Sequence, residues 1–273
     1  MIAAAISAIG PQDEAAARTF LAAAPYENVY LDWLLRQRPA ARERMYAFRN
    51  SGRSIHGVAF FGRQTVLAAD TLDAITAFAD LARGFEGERM IVAPREIAHQ
   101  YWSRIHRWHR PARLVRDRQP LFVLSKAPDI RDSNVIVRHA RPSEAGEVAR
   151  NSAAMIQQEL GYDPRRSAGD FYDNVDHMIA QGLWWVATSD EELCFFCHVG
   201  PSSRQTVQLQ GVWTAPNLRR RGLAAQALAQ ICARLLHEYP SVSLYVNDFN
   251  EAAIALYRKL GFVERGALAT YLF

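Results

Sequence analysis

The chain has 273 residues, 49% of them hydrophobic, which is enough apolar material for one large core or two ordinary ones. Its formal net charge is only +4, and all basic residues except Lys126 and Lys259 are arginine, so the surface reads as mildly basic rather than as a nucleic-acid-binding field. Three cysteines, an odd number, fit a reducing cytoplasm better than a disulfide framework; no run approaches a membrane span, and the opening MIAAAISAIG lacks the charged start of a signal peptide.

In chain order, Ile2–Ile9 reads as a strand, and Gln12–Ala23 and Glu27–Gln37 as helices separated by Pro25. Arg44–Asn50, Ile55–Phe61 and Thr65–Ala69 follow as strands joined by NSGRS and GRQ turns. Thr71 caps a helix to Arg83, with Leu72, Ile75, Phe78 and Leu81 at spacings of three. Met90–Ala93 is a strand, Pro94–Trp108 a helix with Trp102, Ile105 and Trp108 on its apolar face, and Leu114–Leu124 a strand. Beyond SKAPDIRDSN the order repeats. Val135–His139 is a strand, Pro142–Glu159 and Asp170–Gln181 are helices, and Leu183–Thr188, Leu193–Val199 and Thr206–Thr214 are strands. Leu223–Glu238 is a helix, Val242–Val246 a strand, Glu251–Leu260 a helix capped by Asn250, and Phe262–Phe273 closes with β structure. Both halves therefore read β-α-α-β-β-β-α-β-α-β, an α/β chain that looks internally duplicated.

One motif is set aside. CFFCH, Cys194 to His198, matches the pattern for haem attachment, and its C-x-x-C part a redox pair. The segment reads as a strand, where residues three apart face opposite sides and the thiols diverge.

Chemistry concentrates where the strand TVQLQGVWTAP runs through NLRRR into Gly222 and a helix. The first amides of a helix have no internal partner and attract anions, and glycine lets a ligand approach without a Cβ in the way. The bland alternative is an exposed turn with solvated arginines. The rest of the half decides between them, for SLYVNDFNEAAIALYRKLGF supplies a strand, an asparagine-capped helix, a tyrosine and a Gly-Phe turn.

These two stretches resemble the GNAT superfamily of acyl-CoA-dependent N-acyltransferases. The family's pyrophosphate motif, Arg/Gln-x-x-Gly-x-Gly/Ala, is met by Arg219, Gly222 and Ala224. Its later motif is met by Asn250, Ala253, Leu256, Tyr257, Lys259, Gly261 and Phe262. The likeness covers about 135–273. The whole chain, with VRDRQPLFVL, GYDP, SLYVNDFN and LATYLF, is similar to a bacterial subgroup with an uncharacterised N-terminal domain. The element order makes that domain a second, degenerate GNAT-like copy. Expected boundaries are 1–125 for this copy, 126–134 for a linker and 135–273 for the catalytic domain, two tandem GNAT-like domains on mixed sheets. At the equivalent junction the first copy reads VLAADTLDAI, with acidic residues where a cradle would stand, so acyl-CoA is expected only in the second.

The resemblance implies direct transfer of an acetyl group from acetyl-CoA to a primary amine, a protein lysine or a small molecule, with no metal and no membrane partner. The backbone of Arg219, Arg220, Arg221, Gly222, Leu223 and Ala224 is expected to hold the pyrophosphate. Val212, Trp213 and Thr214 offer a strand edge to the pantetheine arm, freed by a bulge at Gly211. Asn250 is both helix cap and cofactor contact, and Tyr257 is the general acid. The base is the gap. Where many relatives place a glutamate, six residues before Pro216, stands Gln210, which takes no proton at neutral pH. Glu159 and the carboxylate of Phe273 are the substitutes, with His198 a structural histidine by preference. The acceptor side is assigned to Gln157–Asp173, including Tyr162, Asp163, Arg165, Arg166 and Tyr172. Gln210 also leaves open a non-catalytic module that senses acyl-CoA.

Overall fold

A computed structural model describes residues 5–37, 43–51, 53–129, 133–167 and 170–273. The strands are β1 (Ala5–Ala8), β2 (Met45–Arg49), β3 (Ile55–Phe60), β4 (Gln64–Ala69), β5 (Met90–Pro94) and β6 (Leu114–Leu124) in the first half. The second half has β7 (Ile136–His139), β8 (Trp184–Ser189), β9 (Glu192–Ser202), β10 (Val207–Thr214), β11 (Val242–Tyr245) and β12 (Val263–Leu272). The helices are α1 (Glu14–Leu21), α2 (Val29–Gln37), α3 (Leu72–Leu81), α4 (Arg95–Ile105), α5 (Ala145–Leu160), α6 (Pro164–Ser167), α7 (Phe171–Ala180), α8 (Leu223–Leu235) and α9 (Glu251–Lys259). The strand expected from Ile2 is seen from Ala5; residues 1–4, 130–132 of the linker and 168–169 of the acceptor segment lie outside the described residues.

The twelve strands of the described residues form one sheet in the order β1-β2-β3-β4-β5-β12-β6-β11-β10-β9-β8-β7. The two halves run inward from opposite edges and exchange their last strands. β6 pairs antiparallel with β11, Leu121 opposite Tyr245, and β12 enters between β5 and β6. The exchange reaches the cores. Phe122 and Leu124 of β6 are buried with α8, whereas Ala269 and Tyr271 of β12 are buried with α3 and α4. Each half thus buries apolar surface on a strand supplied by the other, which couples them through the hydrophobic term.

Duplication is visible in a small device as well. Gly10-Pro11-Gln12-Asp13 and Arg141-Pro142-Ser143-Glu144 open α1 and α5 in the same way. The Gly10 amide donates to Asp13 Oδ2 (3.0 Å) and the Arg141 amide to Glu144 Oε2 (2.7 Å), each satisfying a donor ahead of the helix.

Local expectations meet two corrections. Leu72, placed on the apolar face of α3, is 56% exposed, and Ala74, Ile75, Phe78 and Ala79 form the buried stripe. The helix from Pro94 ends at Ile105, so Trp108 packs from the following turn instead of from the helix face. The CFFCH segment is strand, as read, and its cysteines are free. The thiols do not diverge, however: the register shifts between Ala187 and Thr188, and Cys194 joins the same buried cluster as Cys197. A bulge shifts the alternation by one residue.

Candidate active site

β10 and β11 are paired in parallel only at Val207–Val242 and Gln208–Ser243. Beyond that point Gly211 adopts φ +61°, and the β9–β10 register shifts between Gln210 and Trp213. The extra residue bends β10 away from β11, and a cleft of about 1850 Å³ opens in the sheet. Val212, Trp213 and Thr214 line it with an edge that has no strand on the β11 side. Trp213 is held flat against Phe196, ring centres 4.6 Å apart.

β10 leads into the turn where the arginines stand. Arg219 Nε donates to the Thr214 carbonyl (3.2 Å), tying the loop back to the strand. Arg220 has φ +64° and Gly222 φ +79°, so two left-handed residues curl the backbone immediately before α8. Such curvature gathers successive N–H groups into an anion-binding concavity, here backed by the positive end of a helix. The amides of Ala225 and Gln226 donate to the Gly222 carbonyl; those of Gly222, Leu223 and Ala224 reach no backbone acceptor among the described residues. Arg219, Arg220, Gly222, Leu223 and Ala224 line the cleft, and Arg221 does not. The glycine is required for its backbone angle rather than for space: a Cβ at 222 would meet only Gln226 Nε2, at 4.0 Å.

The opposite wall is the end of β11 and the inner face of α9. Asn250 caps α9 by accepting from the Ala253 amide (3.2 Å), and it lines the cleft together with Ala253, Leu256, Tyr257 and Lys259. Its carboxamide NH2 remains available to a ligand. Tyr257 is 4% exposed between Phe122 and Phe262, and among the described residues no hydrogen bond engages its hydroxyl. Burial pushes its phenol pKa upward, with Cys197, Glu159 and Cys232 adding to the rise. The group stays protonated at neutral pH, the state a proton donor needs.

Gln210 also lines the cleft; its Nε2 donates to Gln208 Oε1 (3.0 Å) and its carboxamide packs against Gly200. Glu159 stands exposed on the rim at the end of α5, and its carboxyl is raised above the ordinary value by desolvation, which Arg116 partly offsets. His198 lies opposite Gln210 in the strand register and is lowered to about 4 by burial, so it is neutral at physiological pH. Phe273 is not brought to the cleft. Its ring packs on His109 and Trp102 beneath Arg110, in the core of α3 and α4, because β12 was drawn into the first half of the sheet.

Among the described residues of the acceptor segment, Gln158 and Glu159 line the cleft. Tyr162, Asp163, Arg165, Arg166 and Tyr172 do not line the cleft; Asp163 pairs with Arg165 at 2.7 Å, and Tyr162 lies under Arg113. In their place stand His177 of α7, Gln181 at its C-cap and, unforeseen, Glu27, Tyr30, Trp33, Arg116 and Gln119 from the first half. Gln119, where the charged first half of β6 gives way to its apolar end, donates to Asn247 Oδ1 (3.0 Å) and accepts from Thr270 Oγ1 (2.5 Å), linking β12 to the turn after β11. Arg113 and Arg116 donate to the carbonyls of Leu160 and Glu159, satisfying the last turn of α5.

A bulged strand splayed from its parallel neighbour and an amide cradle at the following helix, in the second of two halves of like element order on one mixed sheet, define a tandem of GNAT-like domains, the first of them degenerate. In that first half β4 carries no bulge, and the amide of Ala74 at the start of α3 is taken by the Thr71 side chain. Residues 152–262 match the Acetyltransferase (GNAT) family, and residues 44–148 match the Domain of unknown function (DUF4081). The chain carries a GNAT domain at its C-terminus with a DUF4081 domain ahead of it. No curated protein matches the sequence. Among solved structures, a Drosophila protein shares the fold with a TM-score of 0.70 at 12% identity, covering 98% of both chains. A GCN5-related N-acetyltransferase from Sphaerobacter thermophilus gives 0.62 at 12% identity, over 98% of this chain and 95% of the other. A tandem GNAT protein from the clavulanic acid biosynthesis pathway gives 0.56 at 14% identity, over 98% of both.

Proposed function

We propose that the protein transfers an acetyl group from acetyl-CoA to a primary amine, with 135–273 as the catalytic half, 126–134 as a linker and 1–125 as a half that binds no acyl-CoA. The observation that carries this reading is the continuity of the Gly211 bulge, the open edge of Val212–Thr214 and the left-handed cradle at Arg220 and Gly222. Together they fit a ligand that is amide-rich along one length and doubly charged at its end. The amides of Gly222, Leu223 and Ala224 would hold the pyrophosphate, with Arg219 and Arg220 adding charge at the mouth. Asn250 would donate from its free NH2.

In the chemical step the amine nitrogen forms a bond to the thioester carbonyl carbon as the carbon–sulfur bond breaks. Tyr257 supplies the proton that neutralises the departing thiolate, and the proton shed by the newly acylated nitrogen restores it. Glu159 is the proton acceptor for the ammonium form of the acceptor: its carboxyl lines the same cleft, and its raised pKa brings it nearer to the amine it must deprotonate. Gln210 can orient the acceptor but takes no proton.

The test is acetyl-CoA binding by titration calorimetry, together with release of free CoA across an amine panel. One equivalent bound and CoA released with some acceptor supports the reading. Tight binding without CoA release from any amine favours the sensing module that Gln210 leaves open.

A further inference from the structure

The acceptor end of the cleft is built by both halves. Tyr245 of β11, Leu121 of β6 and Gly266 of β12 stand in register across three neighbouring strands, so they share one face of the sheet. Tyr245 lines the cleft, and so does Glu27, immediately ahead of α2. The Glu27 carboxylate lies directly over Gly266: a Cβ on residue 266 would fall 2.5 Å from Glu27 Oε1. Neighbouring strands lie about 4.8 Å apart, so Gly266 places this carboxylate about 10 Å across the sheet from β11.

Nothing in the fold explains why an acid is held there. Among the described residues Glu27 makes no ion pair and no hydrogen bond, and it caps no helix. Desolvation alone acts on it and raises its carboxyl pKa. A half-buried carboxylate without a partner is a net cost to the folded protein unless a cation arrives. Arg219, Arg220 and Lys259 stand at the cofactor end of the cleft, and Glu27 and Glu159 at the other, where the one guanidinium among the described lining residues, Arg116, is engaged by the Glu159 carbonyl.

We propose that Glu27, from the non-catalytic half, is the acceptor-specificity residue of this site, receiving a second ammonium of a linear amine whose reacting nitrogen lies about 10 Å away. This rests on the acyltransferase reading and narrows it. An extended chain advances about 1.2 Å per bond, so the separation corresponds to about eight bonds between the two nitrogens. A linear triamine such as spermidine satisfies this; a monoamine or an isolated lysine side chain does not.

The experiment compares kcat/KM for spermidine and n-butylamine, read as CoA release, in wild-type protein, Glu27→Gln and Gly266→Ala. A charge-assisted contact in a partly desolvated site sets the expected preference of the wild type for spermidine at about 10- to 100-fold. Glu27→Gln collapses that ratio, with the loss in KM rather than kcat. Gly266→Ala leaves the charge in place and pushes the carboxylate aside, so it moves the ratio in the same direction. A wild type without preference, or a Glu27→Gln variant that keeps it, overturns the assignment. If no amine releases CoA, spermidine binding to the CoA-loaded protein is measured instead. Binding lost in Glu27→Gln upholds Glu27 and rejects turnover, whereas equal binding, or none in the wild type, overturns the proposal.

Discussion

Replacing Gly222 with valine separates the work of the backbone from that of the arginines. A non-glycine residue in the left-handed region costs about 1–2 kcal/mol, and a β-branched one somewhat more. The nearest atom to a new Cβ is Gln226 Nε2 at 4.0 Å, so no steric clash adds to this cost. In a chain of this size about 2 kcal/mol lowers Tm by roughly 4–8 °C, and the protein still folds. If the backbone relieves the strain by leaving φ +79°, the amides of Gly222, Leu223 and Ala224 no longer converge. A hydrogen bond to a charged group is worth about 1.5–3 kcal/mol, so losing two weakens acetyl-CoA binding at least about 100-fold. Arg220→Gly is the control, because it keeps the left-handed angle and removes only an exposed charge. That charge is worth about 0.5–1 kcal/mol, a two- to fivefold loss. Calorimetric titration with acetyl-CoA, paired with thermal unfolding, reads both variants. Gly222→Val within threefold of wild type, or Arg220→Gly as damaging as Gly222→Val, refutes the backbone cradle.

Tyr257→Phe removes the proton donor without changing the packing against Phe122 and Phe262, so kcat falls about 100-fold or more while the dissociation constant of acetyl-CoA is retained. Glu159→Gln acts through pH: the wild-type base works once deprotonated, so kcat/KM rises with pH through the raised carboxyl pKa, and the variant loses that limb in a pH–rate profile. The sign for stability is opposite. A raised folded pKa favours folding below the ordinary carboxylate range, and that contribution is lost as pH rises, so Glu159→Gln is no less stable than wild type at neutral pH. Phe122→Ala, in a side chain 1% exposed on the exchanged strand, costs about 3–5 kcal/mol in urea unfolding. Because β6 and β12 each complete the other half's core, the loss appears in a single transition that both halves share.

Much of the local structure was legible because it rests on nearest-neighbour physics. Thr71 and Asn250 were read as caps and accept from the amides of Ala74 and Ala253. Leu114–Leu124 was read to the residue. Gly211 in an alternating strand signalled a bulge, and the glycine after three arginines signalled the cradle, since each is a short-range exception to an otherwise regular pattern. Segments that failed did so where neighbours in space outweighed neighbours in sequence. Cys194 changed sides through a bulge set by β8, and Tyr162, Asp163 and Arg165 were drawn out of the cleft by Arg113 and by an Asp163–Arg165 pair.

What the sequence determined by itself is the set of parts: two copies of one element order, a strand that splays, an amide cradle behind it and a buried tyrosine on the facing helix. Strand exchange lay beyond it, because β6 satisfies its hydrogen bonds and buries Phe122 equally well whichever chain segment lies alongside. Only the tertiary structure decided that β12 crosses into the first half, which carries Phe273 away from the cleft. The same packing brings Glu27 and Arg116, from the half without a cradle, to the acceptor side of the other's site.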